Sequence, residues 1–496
     1  MRRRTFVTSG LATLAAASWP ARRAAAALLA PPGSVDAVGV DGRQVTLTAA
    51  DVKDLRGALH GALLAPGQDG YDAARRLWNA AFDKKPALIV RCADAADVQQ
   101  AVRFAAAHRL LTAVRGGGHS LSGQSCCDGG LLISVSAMRE VQIDSAARLA
   151  HVQAGSLLGP VDQAAQAAGM ATVLGTVADT GVAGLTLGGG QGRLSRKHGL
   201  TIDNLQAVEL VTADGQTQHV SAADNPDLFW AVRGGGGNFG VATRFSYRLH
   251  EIPPLLYGGT LTYAYQDPRQ MLHSYADFIA HAPDELSADV ALTTDHAGQR
   301  IIEFDVCYCG PAAEAERAVA GLRKLGKPLR DRLAAATYVK LQGSEDPPGP
   351  SNFAAYVKGG LVYGLTPALI DATVDYIESH PANNFEIEIG AEGGAVGRVA
   401  PQDTAYWGRR ASHTLLAFAF WKVPDESAEP STTWVHGAWA QLEPHTRGNY
   451  VNLASTDDRE SRVHAAYGDN YTRLAAIKKR YDPGNLFHLN ANIKPA

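Results

Sequence analysis

Three glycine-rich loops constrain most strongly what this chain can fold into. They span residues 116–119, 181–192 and 234–240 and hold 14 of the chain's 51 glycines. That content, 51 in 496 residues, is well above the usual share of about 7%. Glycine has no Cβ atom, so its backbone N–H groups can approach a pyrophosphate closely. Three such loops in one stretch of chain predict a long dinucleotide threaded across one domain. Tight turns in a β-rich domain are the alternative interpretation.

Common nucleotide motifs and several protein classes are excluded. The loops contain no Gly-Lys-Ser/Thr of a P-loop, and no early strand–GxGxxG–helix unit with an acid about 20 residues further on, as a Rossmann site has. Lys and Arg number 46 against 49 Asp and Glu, a net charge of −3, which argues against a nucleic-acid binder. The five cysteines lack the spacing of a zinc site and form no dense disulfide framework. Structural or free thiols are expected.

The pattern along the chain changes near residue 253. Before it, short strands and helices alternate with glycine loops, and residues 205–212 and 216–220 form a hairpin around Asp214-Gly215. After it, longer strands at 258–265, 301–308, 385–389 and 415–421 alternate with amphipathic helices at 271–279, 315–325 and 368–379. This predicts a second domain whose sheet is covered on one face. A last helix is expected near 470–480.

The amino terminus has the layout of an export signal. Arg2, Arg3 and Arg4 precede a weakly apolar stretch and three alanines at 24–26, which predicts a signal peptide over residues 1–27. Paired arginines and an alanine-rich middle favour the twin-arginine type and a periplasmic or extracellular protein. A disordered basic tail is the alternative. No other stretch is apolar enough to span a bilayer.

His119 is the most informative side chain. It directly follows Gly116, Gly117 and Gly118, so it projects from a loop expected to lie against the cofactor. Imidazole is nucleophilic and the flavin 8α carbon is electrophilic, which makes His119 a candidate for a covalent flavin link. A surface histidine, or one satisfied in the core, is the other interpretation.

The motifs together resemble a known superfamily. Residues 115–120 (RGGGHS), 127–130 (CDGG), 181–192 (GVAGLTLGGGQG) and 228–240 (LFWAVRGGGGNFG) resemble the FAD-binding domain of the p-cresol methylhydroxylase/vanillyl-alcohol oxidase superfamily. The tail, with YGDNYTRL at 467–474 and YDPGNLF at 481–487, is similar to the berberine bridge enzyme-like branch. The match runs through nearly the whole mature chain in the right order.

The resemblance implies a fold and a domain plan. It implies a two-domain α+β protein, with an FAD-binding domain at 28–252 whose glycine-loop core is about 82–252. A substrate domain at 253–445 would hold an antiparallel sheet covered by helices. The C-terminal segment, 446–496, would complete the FAD domain.

The resemblance also implies which residues bind FAD. His119 is the expected covalent position, and no metal is expected. The other expected cofactor residues are Arg115, Gly116, Gly117, Gly118, Ser120, Gly123, Gly181, Gly184, Gly188, Gly189, Gly190, Gly192, Val241, Asn490 and Asn492. Val177 stands where many members carry a second, cysteinyl attachment, so a single histidyl link is expected. Thr180 stands where relatives gate oxygen, and its size favours oxygen access.

The expected activity is flavin-dependent oxidation of a small molecule. Hydride would pass from an alcohol, sugar or amine carbon to flavin N5, with reoxidation by oxygen. A dehydrogenase with a quinone or protein acceptor, or a flavin-binding protein with degraded catalysis, are the alternatives. The last is suggested by Leu453, which replaces the family's second tyrosine, the usual base.

Three residues are the candidates for catalysis. Tyr450 matches the first tyrosine of the family motif, and Tyr356 and Lys358 resemble its Tyr-Trp-Lys strand. Tyr450 is equally interpreted as part of the pocket wall. The strand at 415–421 is wholly apolar, which favours an apolar or aromatic substrate over a highly hydroxylated one.

Overall fold

The computed structural model describes residues 33–343, 352–381, 383–455 and 457–496. The predicted signal peptide, residues 1–27, lies outside these ranges. Within them, no helix has the length and apolar character needed to cross a membrane. All five cysteines are buried and free, in agreement with the prediction of structural or free thiols.

The glycine loops belong to a part of the chain built on two sheets. The first sheet has the strand order Ala62–Leu64, Leu88–Arg91, Leu131–Ser134, Thr112–Arg115 and is parallel except at its first pair. Its central strands read LIV and LLI and are buried, as expected where helices cover both faces of a parallel sheet. The second sheet is antiparallel, in the order Thr217–Ser221, Leu205–Val211, Val241–Arg248, Leu149–Gln153, Val141–Asp144. It contains the predicted hairpin.

Smaller elements surround these two sheets. Two short antiparallel pairs join Val35–Val38 to Gln44–Leu47 and His250–Glu251 to Met170–Ala171. The helices of this part are Ala49–Ala58, Tyr71–Arg75, Ala95–Ala107, Leu158–Ala167, Val182–Gly188, Ser195–His198, Thr201–Asn204 and Pro226–Val232.

The middle of the chain folds around one large antiparallel sheet. Its main path runs Arg330–Asp331, Leu256–Ala264, Arg300–Tyr308, Leu286–Thr294, Phe385–Ala391, His413–Lys422, Phe353–Val362, and Ala334–Ala336 also pairs with Leu256–Ala264. The helices here are Pro268–Ala280, Ala315–Arg323, Tyr338–Leu341, Pro367–Ser379, Ala395–Arg398 and Ala428–Leu442. Thr366 caps Pro367–Ser379 by accepting a hydrogen bond from Leu369 N, with proline in the first turn.

Side-chain alternation gives the large sheet two different faces. In Phe385–Ala391 the residues Phe385, Ile387 and Ile389 pack into a core with the four longer helices. The intervening residues, Glu386 and Glu388, point to the other face because successive side chains of a strand alternate. That face looks toward the glycine loops. The result is a two-domain α+β architecture, which confirms the predicted fold class.

The C-terminal segment returns to the first part of the chain. Its helices are Glu460–Tyr467 and Tyr471–Tyr481. Tyr467, Leu474, Phe487 and Ile493 lie in the same hydrophobic core as the two glycine-loop sheets. Residues far apart in sequence therefore build one wall of the cavity described next.

Candidate active site

A cavity of about 620 Å³ lies between the glycine loops and the large sheet. Segments from all three glycine loops line one side, together with Asn490 of the C-terminal segment. The opposite side is formed by the inner face of the sheet. Such a cleft between domains is a common place for a cofactor and its substrate.

Two of the glycine loops touch backbone to backbone. A Cβ atom on Gly117 would lie 2.5 Å from Gly181 Cα, and one on Gly181 would lie 2.5 Å from Gly117 N. A side chain at either position would force the loops apart. Glycine here is required by close approach, and the contact places residues 175–181 directly beside His119.

Many of the predicted cofactor residues line this cavity. They are Gly116, Gly117, Gly118, His119, Ser120, Gly181, Gly184, Gly192 and Asn490. The predicted gate Thr180 and the substituted attachment position Val177 also line it, and Val177 is 46% exposed. The predicted histidyl attachment position, His119, and the substituted cysteinyl position, Val177, therefore line the same cavity.

Other predicted cofactor residues have neighbours within the protein instead. Gly123, Gly188, Gly189 and Gly190 pack against Phe82, Asn452, Tyr406 and Thr201, respectively, where a Cβ atom would clash. Val241 is buried in the hydrophobic core of its domain, with Gly240 and Ala242 on either side lining the cavity. These five residues are not among those that line the cavity, and their assignment to cofactor binding stays a prediction.

Unpaired polar atoms at or next to the cavity fit a large polar cofactor. Arg115 Nε, Asn490 Oδ1 and Asn492 Oδ1 are buried and have no hydrogen-bond partner among the described residues. Asn490 lines the cavity, and Arg115 and Asn492 are each adjacent in sequence to a residue that does. Buried polar groups are normally satisfied, so such atoms call for a ligand or water. Together with the exposed glycine backbone, they match what an FAD molecule needs from its binding site.

His119 is held between a ring and a carboxylate. Its imidazole stacks on Trp78 with 4.6 Å between ring centroids, and its Nε2 atom lies 3.5 Å from Asp179 Oδ1. The histidine lowers the pKa of the Asp179 carboxyl. Neither Trp78 nor Asp179 was identified from the sequence, because only the loop contact brings them to His119.

Tyr450 lines the cavity, where its phenol oxygen accepts two hydrogen bonds. Gly190 N donates at 3.0 Å and Asn452 Nδ2 at 2.7 Å. Burial raises the pKa of Tyr450 to about 12, so it is protonated at neutral pH. This arrangement ties the tyrosine to the glycine loop, and it makes Tyr450 a poor proton acceptor. Leu453 also lines the cavity.

Tyr356 and Lys358 lie outside the cavity lining, which corrects their prediction as catalytic residues. Lys358 Nζ donates to Asp457 at 2.7 Å and to Asp458 at 2.8 Å, while Tyr356 OH donates to Asp457. These contacts tie the strand Phe353–Val362 to the segment before the C-terminal helices. The sequence motif was recognised, but the alternation of the strand turns both side chains into this ion cluster.

The roof of the cavity is acidic. Asp289, Glu386, Glu388 and Glu392 all line it, and the carboxylates of the three glutamates form no hydrogen bond or ion pair with the described residues. The neighbouring Arg193 is engaged by Asp305. Arg196 donates to the backbone carbonyls of Glu392 and Ala282.

This roof adds acidic groups beside the apolar strand on which the expectation of an apolar or aromatic substrate was based. Leu416, Phe418 and Phe420 of the apolar strand do line the cavity, but the adjacent strand adds acids. The Glu-x-Glu alternation at 386–388 was the available sequence signal. It was missed because a strand's inward and outward faces look alike until the core is known.

Desolvation makes these carboxyls hard to ionise, and the charges of Arg193, Arg196 and Arg409 offset it only in part. Desolvation raises the pKa of Asp289 to about 6, of Glu386 to about 7 and of Glu392 to about 8, and it raises that of Glu388 as well, helped by the charge of Glu386. The desolvated charged form is the unfavourable one. Asp289, Glu386 and Glu392 are therefore expected to gain or lose protons near neutral pH.

The acidic roof is expected to make the substrate-free holoenzyme less stable as pH rises from 6.5 to about 8. A carboxyl with a raised folded-state pKa stabilises the fold only while protonated, and that contribution is lost as pH passes the folded value. Buried His198 and His413, with pKa values lowered to about 4, act in the opposite sense but only below pH 6.5. Thermal melts across this range should show a falling Tm.

Two variants test the origin of this slope. Glu392→Gln should flatten it, because glutamine does not titrate, whereas Glu429→Gln on an exposed helical turn should leave it unchanged. A Tm that stays constant or rises between pH 6.5 and 8 in the parent protein would contradict the assignment.

Two protein families match segments of this chain that line the cavity. The family described as "FAD binding domain" matches residues 86–221, and "Berberine and berberine like" matches residues 449–494. These segments supply the first two glycine loops and the C-terminal wall of the cavity.

Individual relatives match over nearly the whole chain. An FAD-linked oxidoreductase of Dictyostelium discoideum is 31% identical over 444 residues, covering 88% of this chain and 95% of that protein. (R)-6-hydroxynicotine oxidase of Paenarthrobacter nicotinovorans is 31% identical over 451 residues, covering 88% and 97%. The crystal structure of 6-hydroxy-D-nicotine oxidase from Arthrobacter nicotinovorans is similar with a TM-score of 0.81 at 30% identity, covering 88% of this chain and 98% of that chain. The chain therefore belongs to the berberine-like family of FAD-linked oxidoreductases.

Proposed function

We propose that this oxidoreductase is an oxidase of cationic amines. The observation that carries the proposal is the set of unpaired carboxylates, Glu386, Glu388 and Glu392, over the cavity lined by the FAD loops. Desolvated carboxylates that form no direct ion pair attract a cation, since pairing repays part of their desolvation. A neutral sugar would leave the same charges unpaired.

The chain's own groups can perform the steps that the flavin does not. Bound FAD supplies the hydride acceptor, at N5. A roof carboxylate binds the ammonium group and takes its proton, because the carbon beside nitrogen releases hydride readily only from the neutral amine. A base works best when its pKa lies near the working pH, and Glu386, at about 7, meets that condition. Tyr450, with its higher pKa, orients the substrate instead.

Two further features of the proposal concern the cofactor. His119 is proposed as the sole covalent attachment, through the flavin 8α carbon, since Val177 at the second position has no nucleophile. Oxygen is proposed as the electron acceptor. Thr180 supports it, because this small side chain lines the cavity, and so do the oxidases among the relatives.

Anaerobic bleaching of the flavin with matched substrates tests this function. Each amine of a panel is paired with the alcohol of the same skeleton, and oligosaccharides are included. Amines should bleach the flavin at least about tenfold faster than their alcohols, because only they engage the carboxylates. Admitting air should restore the colour and produce hydrogen peroxide.

Three other outcomes would contradict the proposed function or part of it. Bleaching by alcohols or oligosaccharides with none by amines would contradict the amine proposal. Recolouring with a quinone but not with air would identify a dehydrogenase. No bleaching by any class would favour a flavin-binding protein without catalysis.

A further inference from the structure

The Asp179 carboxylate has a contact that the proposed oxidation does not use. Its Oδ1 atom lies at an ion-pair distance of 3.5 Å from His119 Nε2, and neither of these buried atoms has a hydrogen-bond partner among the described residues. The histidine and aspartate side chains are 17% and 24% exposed. Each therefore has the other as its nearby polar partner.

The surrounding structure fixes this pair. Gly117 and Gly181 pack backbone to backbone, which sets the separation of the loops that carry His119 and Asp179. Trp78 stacks on the imidazole with 27° between the ring planes, which limits rotation of the ring. The packing of the two loops therefore determines the positions of both side chains.

We propose that Asp179 is the positioning residue that prepares His119 for covalent attachment to FAD. This rests on the proposed attachment at His119. An ionised carboxylate beside Nε2 favours the tautomer whose proton is on that nitrogen, since the hydrogen bond made by one ring nitrogen determines the state of the other. The lone pair then lies on Nδ1, free to attack.

The lowered pKa of Asp179 supports this role, because the carboxylate stays charged through the neutral range. A positive charge develops on the imidazole as Nδ1 forms its new bond. The nearby negative charge stabilises that state electrostatically, as a preorganised charge does in other nucleophilic reactions. Asp179 then accepts or shares the Nε2 proton.

The attachment of His119 to the flavin methyl group is a two-electron oxidation by dioxygen. A bond forms between His119 Nδ1 and the 8α-methyl carbon, and one C–H bond of that methyl group and the imidazole N–H are given up. The two electrons pass through the flavin ring to dioxygen, which takes both protons and leaves as hydrogen peroxide. No other oxidant is required.

The test compares covalent flavin in holoenzyme variants. Parent protein, His119→Ala, Asp179→Asn and Asp179→Glu are purified with FAD, and acid precipitation separates covalent from released flavin. Asp54→Asn, an exposed change on the helix Ala49–Ala58, is the matched control. In-gel fluorescence and mass analysis of the peptide containing residue 119 identify the attachment point.

Asp179→Asn should lower the covalent fraction per bound FAD by about tenfold or more, the scale expected for loss of an acid–base partner. Asp179→Glu should recover part of it, and Asp54→Asn should equal the parent. Prolonged incubation of Asp179→Asn with FAD in air should slowly raise the covalent fraction. A merely structural role would change FAD occupancy or Tm but not the covalent share of the FAD that remains.

Several outcomes would overturn the proposal. One is an Asp179→Asn protein that is labelled as fully and as fast as the parent. Another is a flavinylated His119→Ala protein. A parent protein with only dissociable FAD would contradict both this inference and the proposed covalent link. It would not contradict the proposed oxidase function, which the bleaching of the flavin by amines tests separately.

Discussion

Replacing Glu388 with glutamine is expected to lower kcat/KM for a cationic amine by about 100-fold, mainly through KM. Removing one partner of a buried charge pair typically costs 2–5 kcal/mol, and about 2.7 kcal/mol corresponds to 100-fold. Glu388 lies in the middle of the roof strand, flanked by the charges of Glu386 and Asp289. Glutamine keeps its shape and removes only its charge.

The pH dependence provides an independent check on this result. The parent's kcat/KM should fall as pH drops below about 7. The pKa is raised to about 7 for Glu386 and about 8 for Glu392, and it is raised for Glu388 as well, so these carboxyls become neutral and release the ammonium group. Glu429→Gln should behave as the parent in steady-state assays of oxygen consumption. Equal losses for an amine and its matched alcohol in Glu388→Gln would show that the charge does not select the substrate.

Replacing Lys478 with methionine is expected to lower the free energy of unfolding by about 3–5 kcal/mol, the typical effect of removing one partner of a buried ion pair. Lys478 and Asp482 are both completely buried, with 2.6 Å between Nζ and Oδ2. The same Nζ donates to the carbonyls of Asn238 and Phe487. Methionine would leave the Asp482 charge and two carbonyls without their donor.

The consequence reaches the cofactor, because Asn238 belongs to the third glycine loop. Its Oδ1 accepts a hydrogen bond from Ile493 N at 2.9 Å, so the lysine joins that loop to the C-terminal segment. Urea denaturation should show the loss of stability, and FAD content should fall with it. Lys479→Met, exposed on the same helix, is the control. Unchanged midpoint and FAD content in Lys478→Met would contradict this account.

Local patterns were sufficient for most of the secondary structure. The helix predicted at 368–379 is Pro367–Ser379, and the strand predicted at 301–308 is Arg300–Tyr308. Both elements have a strong hydrophobic periodicity and clear ends, and the helix begins at the capping residue Thr366. The strand Leu286–Thr294 was not predicted, although it lies at the centre of the large sheet. Its own sequence, LSADVALTT, includes an aspartate whose place on the cavity side only the sheet explains.

The sequence by itself located the glycine loops, because a glycine contributes through its missing side chain and needs no partner to be recognised, and the resemblance of the loop motifs to a known superfamily named FAD as the cofactor. Tertiary structure decided the rest of the site. Asp179 meets His119 only because Gly117 and Gly181 touch. Glu386 and Glu388 became the roof, and Lys358 an ion-pair residue, according to which face of the sheet the helices cover. Such choices depend on contacts between residues far apart in the chain, so only the folded protein shows which side chains line the cavity opposite the glycine loops.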